Sequence, residues 1–465
     1  MKHIIFSITL LSLLIYTACE DDEGSGSITV TDSDVNEWIE ETMRDNYLWY
    51  ADMPDKETLD FSLDPETFFE GLLSDQDGKD LSSGHTYFST LEQAASTKSI
   101  SDATDSYGFD FAIANLSSEE NTYKIALVLY VLKDSPAEEA GLKRGDWIFG
   151  VNGSLGTIED YSVLRSGESV SLQLGKSTGD SNTLTEADTI TIGASREVEN
   201  TPFLKDSIYE FGSTRIGYLM YNHFQSGLDE YDSDDTTYDL YLEELFEEFK
   251  NEGVNEFVLD LRYNSGGYVT CAQLLASLLV PADALGETFC HLSYNDKNTD
   301  RDRDLSFLET TETVAGNLDL DRLFILTGST TASASELVIN SLRPYMGTTN
   351  VCLIGQQTLG KTVGMTVYNE SDTYGWILSP VTFHSYNCEM EADYEDGFAP
   401  DVEVNEFDYD LVPFGELEDP LLAQAIYEIT GEASLLRSAK AKEDVTTPYK
   451  PLKTTRNNLY LIADP

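Results

Sequence analysis

Two side chains with the means for covalent chemistry stand out in the stretch from Leu323 to Met365. Ser333 lies in Thr327-Gly-Ser-Thr-Thr-Ala-Ser333-Ala-Ser-Glu336, after the apolar run Leu323-Phe-Ile-Leu326 and before a segment that reads as a helix to Arg343. Lys361 lies in Gly355-Gln-Gln-Thr-Leu-Gly360-Lys361-Thr362, after a second apolar run, Val351-Cys-Leu-Ile354.

Three chemistries compete for these residues. The Lys361 string satisfies the Walker A pattern, but a phosphate loop needs a helix directly after its Lys-Thr, so that N–H groups face the phosphates. The next residues, Val363-Gly-Met-Thr-Val-Tyr368, read as a β-like run instead, which argues against a nucleotide site. Ser333-x-x-Glu336 before an apolar helix is also the capping-box signature, and on the tetrapeptide alone the cap is the commoner reading. The third reading is nucleophilic catalysis. A serine at a helix start has backbone N–H groups beside it for a developing oxyanion, and a buried lysine, its ammonium disfavoured by desolvation, can serve as its base. Ser335 is the alternative nucleophile if the helix starts differently.

These residues need elements to hold them. Val35, Trp38, Ile39, Met43 and Tyr47 follow helical spacing, and residues 34–100 read as a small helical domain with no visible chemistry, His85 included. Residues 101–195 turn to short strands. Ser135-Pro-Ala-Glu-Glu-Ala-Gly141 spells a short helix with Ser as N-cap, Pro at its first position and Gly past its end, and the next strand closes in Asn152-Gly153. This run resembles a PDZ domain. That likeness makes Tyr107, Gly108, Phe109, Asp110 and Phe111 the loop whose N–H groups hold a peptide carboxylate, with the peptide added as a strand.

Residues 196–431 alternate strands with helices: Ile216 to Met220, a helix from Tyr238 to Lys250 with Leu240, Leu242, Leu245 and Phe246 inside, Glu256 to Leu261, and a helix from Val269 to Leu279. Such alternation predicts a mostly parallel sheet covered by helices. A terminal helix is expected over Pro420 to Ile429, and 432–465 as a tail.

Ser-Ala-Ser-Glu, then a strand, then Thr-Leu-Gly-Lys resembles the active site of the C-terminal processing (tail-specific) serine proteases, the S41 peptidases. Gly217-Tyr218, Asp260-Leu-Arg-Tyr-Asn-Ser-Gly-Gly267, Gly397 to Val402 and the PDZ-like segment occur in the family's order. The resemblance implies a multidomain α/β protein: a helical N-terminal domain, a PDZ-like β domain and a crotonase-like α/β catalytic domain. It implies Ser333 as nucleophile, Lys361 as base and Glu336 as an orienting group, with the N–H groups of Ala334 and of Gly266 or Gly267 as oxyanion hole. The expected function is a serine endopeptidase that takes unfolded polypeptides with an apolar C-terminus, without cofactor or metal. A catalytically silent peptide-binding scaffold is the alternative. Two departures from the family stand out: a Ser-to-Lys spacing lengthened at Met346-Gly-Thr-Thr-Asn350, and Met365 where many members carry glutamine.

Composition sets the outer limits. The 465 residues carry a net charge of −56 spread along the chain, which repels nucleic acid. Ile4 to Ile15 is apolar but short for a membrane span and suits an export signal. Thr17-Ala18-Cys19 resembles a lipoprotein cleavage site, so residues 1–19 are expected to be removed up to a lipidated Cys19, with 20–33 an acidic tether and the protein on the periplasmic or surface face of an outer membrane. Outside the cytoplasm Cys271, Cys290, Cys352 and Cys388 are open to disulfide pairing, in three connectivities that the sequence leaves open. Neither they nor the five dispersed histidines have metal-ligand spacing.

Overall fold

Thr31 caps the helix that the N-terminal periodicity predicts. In the computed structural model, α1 spans Asp32–Asn46, and the Asp34 carboxylate accepts from the Thr31 N–H at 2.8 Å while Thr31 Oγ1 accepts from the Asp34 N–H. Residues 30–81, 84–93, 104–117, 122–155, 161–177, 184–228, 234–309, 314–437, 453–454 and 461–462 are described. Val35, Ile39 and Met43, four residues apart, form the buried stripe of α1. They pack with Phe68 and Phe69 of α2 (Pro65–Glu70), and also with Val363, Met365, Trp376 and Val381 from far along the chain. The helical segment therefore shares its core with the strands that come after Lys361. Strand Thr90–Gln93 extends this union by pairing with Trp376–Ser379.

The second unit is an antiparallel sheet in which Phe109–Ser117 pairs with Thr122–Val131. Beyond that strand the sheet continues with Trp147–Val151, Val170–Ser177 and Leu184–Ile192. The short helix α3 (Pro136–Glu139) has Ser135 as N-cap, its Oγ accepting from the Glu138 N–H at 3.1 Å.

The largest sheet runs in the order Phe203–Phe211, Thr214–Tyr221, Glu256–Asp260, Leu323–Thr327, Val351–Gly355, Val402–Glu403. Its first pair is antiparallel and the rest are parallel. Both faces are covered, which is why its central strands read as unbroken apolar runs. Phe257, Leu259 and Ile325 face α4 (Thr237–Asn251), α5 (Val269–Leu279) and α6 (Ala334–Met346). Val258, Phe324 and Leu326 face α7 (Pro420–Thr430) together with Leu127 and Leu129 of the antiparallel sheet.

A further sheet aligns Gly267–Tyr268, Leu461–Ile462, Val363–Met365, Val381–Tyr386, Thr288–Tyr294 and Arg303–Ser306. Strand Val363–Met365, not a helix, comes directly after Lys361-Thr362, and this removes the structural basis of a phosphate loop.

One expectation needs correction. Leu240 is 55 % exposed, because α4 turns Tyr238, Leu242, Leu245, Phe246 and Phe249 to the core instead. Cys271, Cys290, Cys352 and Cys388 form no disulfide; Cys271 sits on α5 with its Sγ 3.1 Å from Ser226 Oγ. The export signal, Cys19 and the tether up to residue 29 lie outside the described residues, as does most of the tail. No helix among the described residues is long and apolar enough to cross a membrane.

Candidate active site

The chain reaches Ser333 from the end of strand Leu323–Thr327 through a loop tied to its neighbour. Thr331 Oγ1 donates to the Leu261 carbonyl at 2.7 Å, Thr330 Oγ1 to that of Arg262 at 3.1 Å, and the Ala332 N–H to that of Asn264 at 3.1 Å. Ser335 Oγ donates to the same Asn264 carbonyl at 3.1 Å, so its hydroxyl is spent on holding the loop.

Ser333 is fully buried at φ 61°, ψ −114°, a backbone state that costs a non-glycine residue roughly 1–3 kcal/mol. An ordinary N-cap sits in the extended region. Here only half of the capping box closes: the Ser333 N–H donates to Glu336 Oε2 at 2.9 Å, whereas Ser333 Oγ has the box's placement without making a hydrogen bond. The strained backbone thus presents a hydroxyl committed to no partner.

Glu336 is the hinge of the site. Its Oε2 also accepts from the Lys361 N–H at 2.8 Å, and its Oε1 accepts from Thr358 Oγ1 and the Gly360 N–H, each at 2.6 Å. One buried carboxylate thereby joins the start of α6 to the turn carrying Lys361. Burial pushes this carboxyl up to about 7, against the pull of Thr358 and the three N–H groups.

Gly360 and Gly397 make that turn, each with positive φ. A Cβ on Gly360 would lie 2.2 Å from the Glu395 carbonyl oxygen, and one on Gly397 would lie 2.0 Å from that of Thr358.

Lys361 is fully buried. Its Nζ lies 3.7 Å from Met365 Sδ and 4.9 Å from the centre of the Phe88 ring. Burial drags the ammonium down to about 7, opposed by the carboxylates of Asp77 and Glu336. A thioether is a weak acceptor, so Met365 does little to hold the proton on Nζ.

Asp77 and Phe88 were not visible as site residues in the sequence, since they carry no motif and precede Lys361 by hundreds of residues. Asp77 is buried and held by the Phe88 and Ser89 N–H groups and by the Tyr47 hydroxyl at 2.9 Å. His85 keeps to the rim, with Nε2 2.8 Å from the Asp77 carbonyl oxygen and Nδ1 2.9 Å from Asp80.

The expected oxyanion donors fare unequally. Ala334 is the first residue of α6, so its N–H has no acceptor within the helix. Gly266 does not fit, because its N–H donates to Asn264 Oδ1 at 2.9 Å. Gly267 has φ 142° and packs so tightly that a Cβ would lie 2.0 Å from the Phe224 carbonyl oxygen.

The Tyr107 to Phe111 loop also departs from expectation. The N–H groups of Tyr107, Gly108 and Phe111 donate to the Arg165 carbonyl, Ser106 Oγ and Asp110 Oδ1, which withdraws them from a ligand. What remains is the outer edge of Phe109–Ser117, where Thr454 and Lys453 pair with Ala112 and Ile113.

Behind the site, Arg262 is buried among carboxylates. It meets Asp260 at 2.7 Å, Asp419 at 2.9 Å and Glu406 at 3.0 Å, while Arg144, in the turn between α3 and strand Trp147–Val151, reaches the same Glu406 oxygen at 2.8 Å. The Tyr218 hydroxyl donates to Asp260 at 2.8 Å. Burial works to raise Asp419, yet Arg262 outweighs it and holds that carboxyl below its usual value. This network fixes the base of the Arg262 to Gly267 loop.

Comparison with known proteins agrees with this architecture. Residues 34–90 match the peptidase S41 N-terminal domain, 127–174 a PDZ domain and 215–404 peptidase family S41. The carboxyl-terminal-processing protease of Synechocystis is 25 % identical over 353 residues, 72 % of each chain. The carboxy-terminal processing protease CtpA of Bacillus subtilis is 24 % identical over 335 residues, 70 % of this chain and 62 % of its own. A crystal structure of a Bacteroides fragilis protein assigned to the S41 proteases superposes with a TM-score of 0.73 at 36 % identity, over 85 % of this chain and 97 % of that one. With its N-terminal S41 domain, PDZ domain and catalytic domain in that order, the chain belongs to peptidase family S41.

Proposed function

We propose that this peptidase is a serine endopeptidase that works through Ser333 and Lys361 on unfolded polypeptides carrying an apolar C-terminus. The observation that carries this reading is the link at Glu336: one carboxylate oxygen holds the backbones of a strained serine with an uncommitted hydroxyl and of a buried lysine whose ammonium is drawn down to about 7. Neutral Nζ takes the proton as Oγ attacks the scissile carbonyl. The oxyanion forms beside the Ala334 N–H, with Gly267 as the second donor. The Lys361 ammonium then protonates the leaving amine, and neutral Lys361 activates the water that resolves the acyl ester. The PDZ domain presents the substrate by adding it as a strand to the edge of Phe109–Ser117.

The test is cleavage of an unfolded protein with an apolar C-terminus. Ser333→Ala should lower turnover by at least about a thousandfold with unchanged peptide affinity, since the nucleophile is lost and binding is not. Undiminished cleavage by this variant would remove Ser333 as nucleophile.

We also propose export and lipidation at Cys19, on the Thr17-Ala18-Cys19 pattern. In an expressing bacterium the full chain should incorporate labelled fatty acid and fractionate with outer membrane. Cys19→Ala should do neither.

A further inference from the structure

The sheet beside the candidate site has Leu461–Ile462, from the tail, as the second of its six strands, between Gly267–Tyr268 and Val363–Met365. Leu461 pairs with Gly267, and Ile462 pairs with both Tyr268 and Met365, all in parallel. Upstream in the same tail, Lys453 and Thr454 pair antiparallel with Ile113 and Ala112 on the outer edge of the PDZ sheet. Gly267–Tyr268 and Val363–Met365 are neighbours in the sheet only through Leu461–Ile462. Without that strand they would flank a slot about two strand spacings wide, near 9–10 Å. One wall of the slot carries Gly267, and the other begins two residues after Lys361. Its open N–H and C=O rows fit an extended polypeptide.

The tail also differs in charge from the rest of the molecule. Residues 432–465 hold six Lys and Arg against four Asp and Glu, in a chain whose net charge is −56. A mildly basic segment is attracted to that acidic body.

We propose that the strand slot between Gly267–Tyr268 and Val363–Met365, together with the edge of Phe109–Ser117, is a two-point polypeptide-binding track, and that the chain's own C-terminal segment occupies it in cis. The proposal rests on the catalytic reading for its consequence, since a tail in this slot competes with substrate. Its geometry does not depend on that reading. Tethering makes the competition intramolecular, so even a weak contact is filled much of the time.

The test uses a fluorescein-labelled peptide of residues 449–465 and three proteins carrying Ser333→Ala: the full chain, a chain ending at residue 452, and the full chain with Leu461→Pro and Ile462→Pro. Proline removes N–H groups from a strand flanked on both sides, where each such group faces a partner. By anisotropy, the truncated and double-proline proteins should bind the peptide at least tenfold more tightly than the full chain. Equal binding by all three, or none by any, would overturn the proposal, and either altered protein alone suffices if the other fails to fold. In the Ser333 background, freeing the track should raise kcat/KM on an unfolded polypeptide about 5- to 20-fold with kcat nearly constant. If nothing cleaves yet the peptide binds as expected, the docking stands and the catalytic reading falls; if cleavage depends on Ser333 and binding does not differ, the reverse holds.

Discussion

At the scale of single residues, the site depends on two groups whose burial sets their charge near neutrality. Lys361 falls from an ordinary value of 10.5 to about 7, so its neutral amine is present above about pH 7 and, with Lys361 as the proposed base, kcat/KM should climb through that point to a plateau. Lys361→Met should lower kcat by about 10²- to 10⁴-fold, the range of general-base contributions, and abolish the limb near 7; a pH profile of cleavage measures both. The same shift is linked to stability. Between about 7 and 10.5 the unfolded chain binds the lysine proton and the folded chain does not, so this group makes stability rise with pH across that window. The difference in Tm between the native chain and Lys361→Met should therefore change with pH there.

Glu336 runs the other way. Its carboxyl is raised from 4.5 to about 7, so its contribution is fullest below pH 4.5 and is lost as pH climbs to 7. Glu336→Gln turns an NH2 group toward donors that an oxygen now accepts, and should cost about 1–3 kcal/mol in urea unfolding. It should also loosen the register between Ser333 and Lys361, seen as a fall in kcat larger than any change in KM.

At the scale of elements, the turn carrying Lys361 has no room for side chains. Gly397→Ala would drive a Cβ into the Thr358 carbonyl and lift Thr358 Oγ1 from Glu336. Activity should drop at least tenfold while far-UV circular dichroism stays native; full activity would show the turn to be tolerant. Such local chemistry is well marked in the sequence. Capping residues place α3, apolar runs give the parallel strands their identity, and the β-like residues after Lys361-Thr362 are enough to discount a phosphate loop. The sequence leaves open two things: which acceptor a backbone N–H takes, near or far, and which distant segments share a core. Ser333 at φ 61° and Ser333 as an ordinary cap share one sequence. The Gly266 N–H is taken by Asn264, and the N–H groups of Tyr107, Gly108 and Phe111 are taken by Arg165, Ser106 and Asp110. Asp77 and Phe88 reach Lys361 only because α1 and α2 share a core with Val363 and Met365.

At the scale of the whole molecule, three units are fastened by buried contacts as well as by chain. Arg144 of the PDZ domain and Arg262 at the base of the Arg262 to Gly267 loop meet on Glu406, so the two units share one electrostatic network. Arg262→Ala would leave Asp260 and Asp419 buried without their main counter-charge and should cost about 3–5 kcal/mol, measurable by chemical unfolding. Arg144→Ala, which spares the Asp260 and Asp419 contacts of Arg262, should cost less and weaken the contact between the two units, raising the susceptibility of the PDZ sheet to limited proteolysis. The tail adds a third fastening, with residues 453–454 on the PDZ edge and 461–462 beside Gly267–Tyr268.

The central claim, that Ser333 is a nucleophile served by Lys361, is tested most directly by covalent labelling with a serine-directed fluorophosphonate and peptide mass mapping across pH. The adduct should map to Ser333, form with a rate that rises through about pH 7, and slow by at least a hundredfold in Lys361→Met. An adduct on Ser335, or labelling of Ser333 at a rate indifferent to pH and to Lys361, would contradict it.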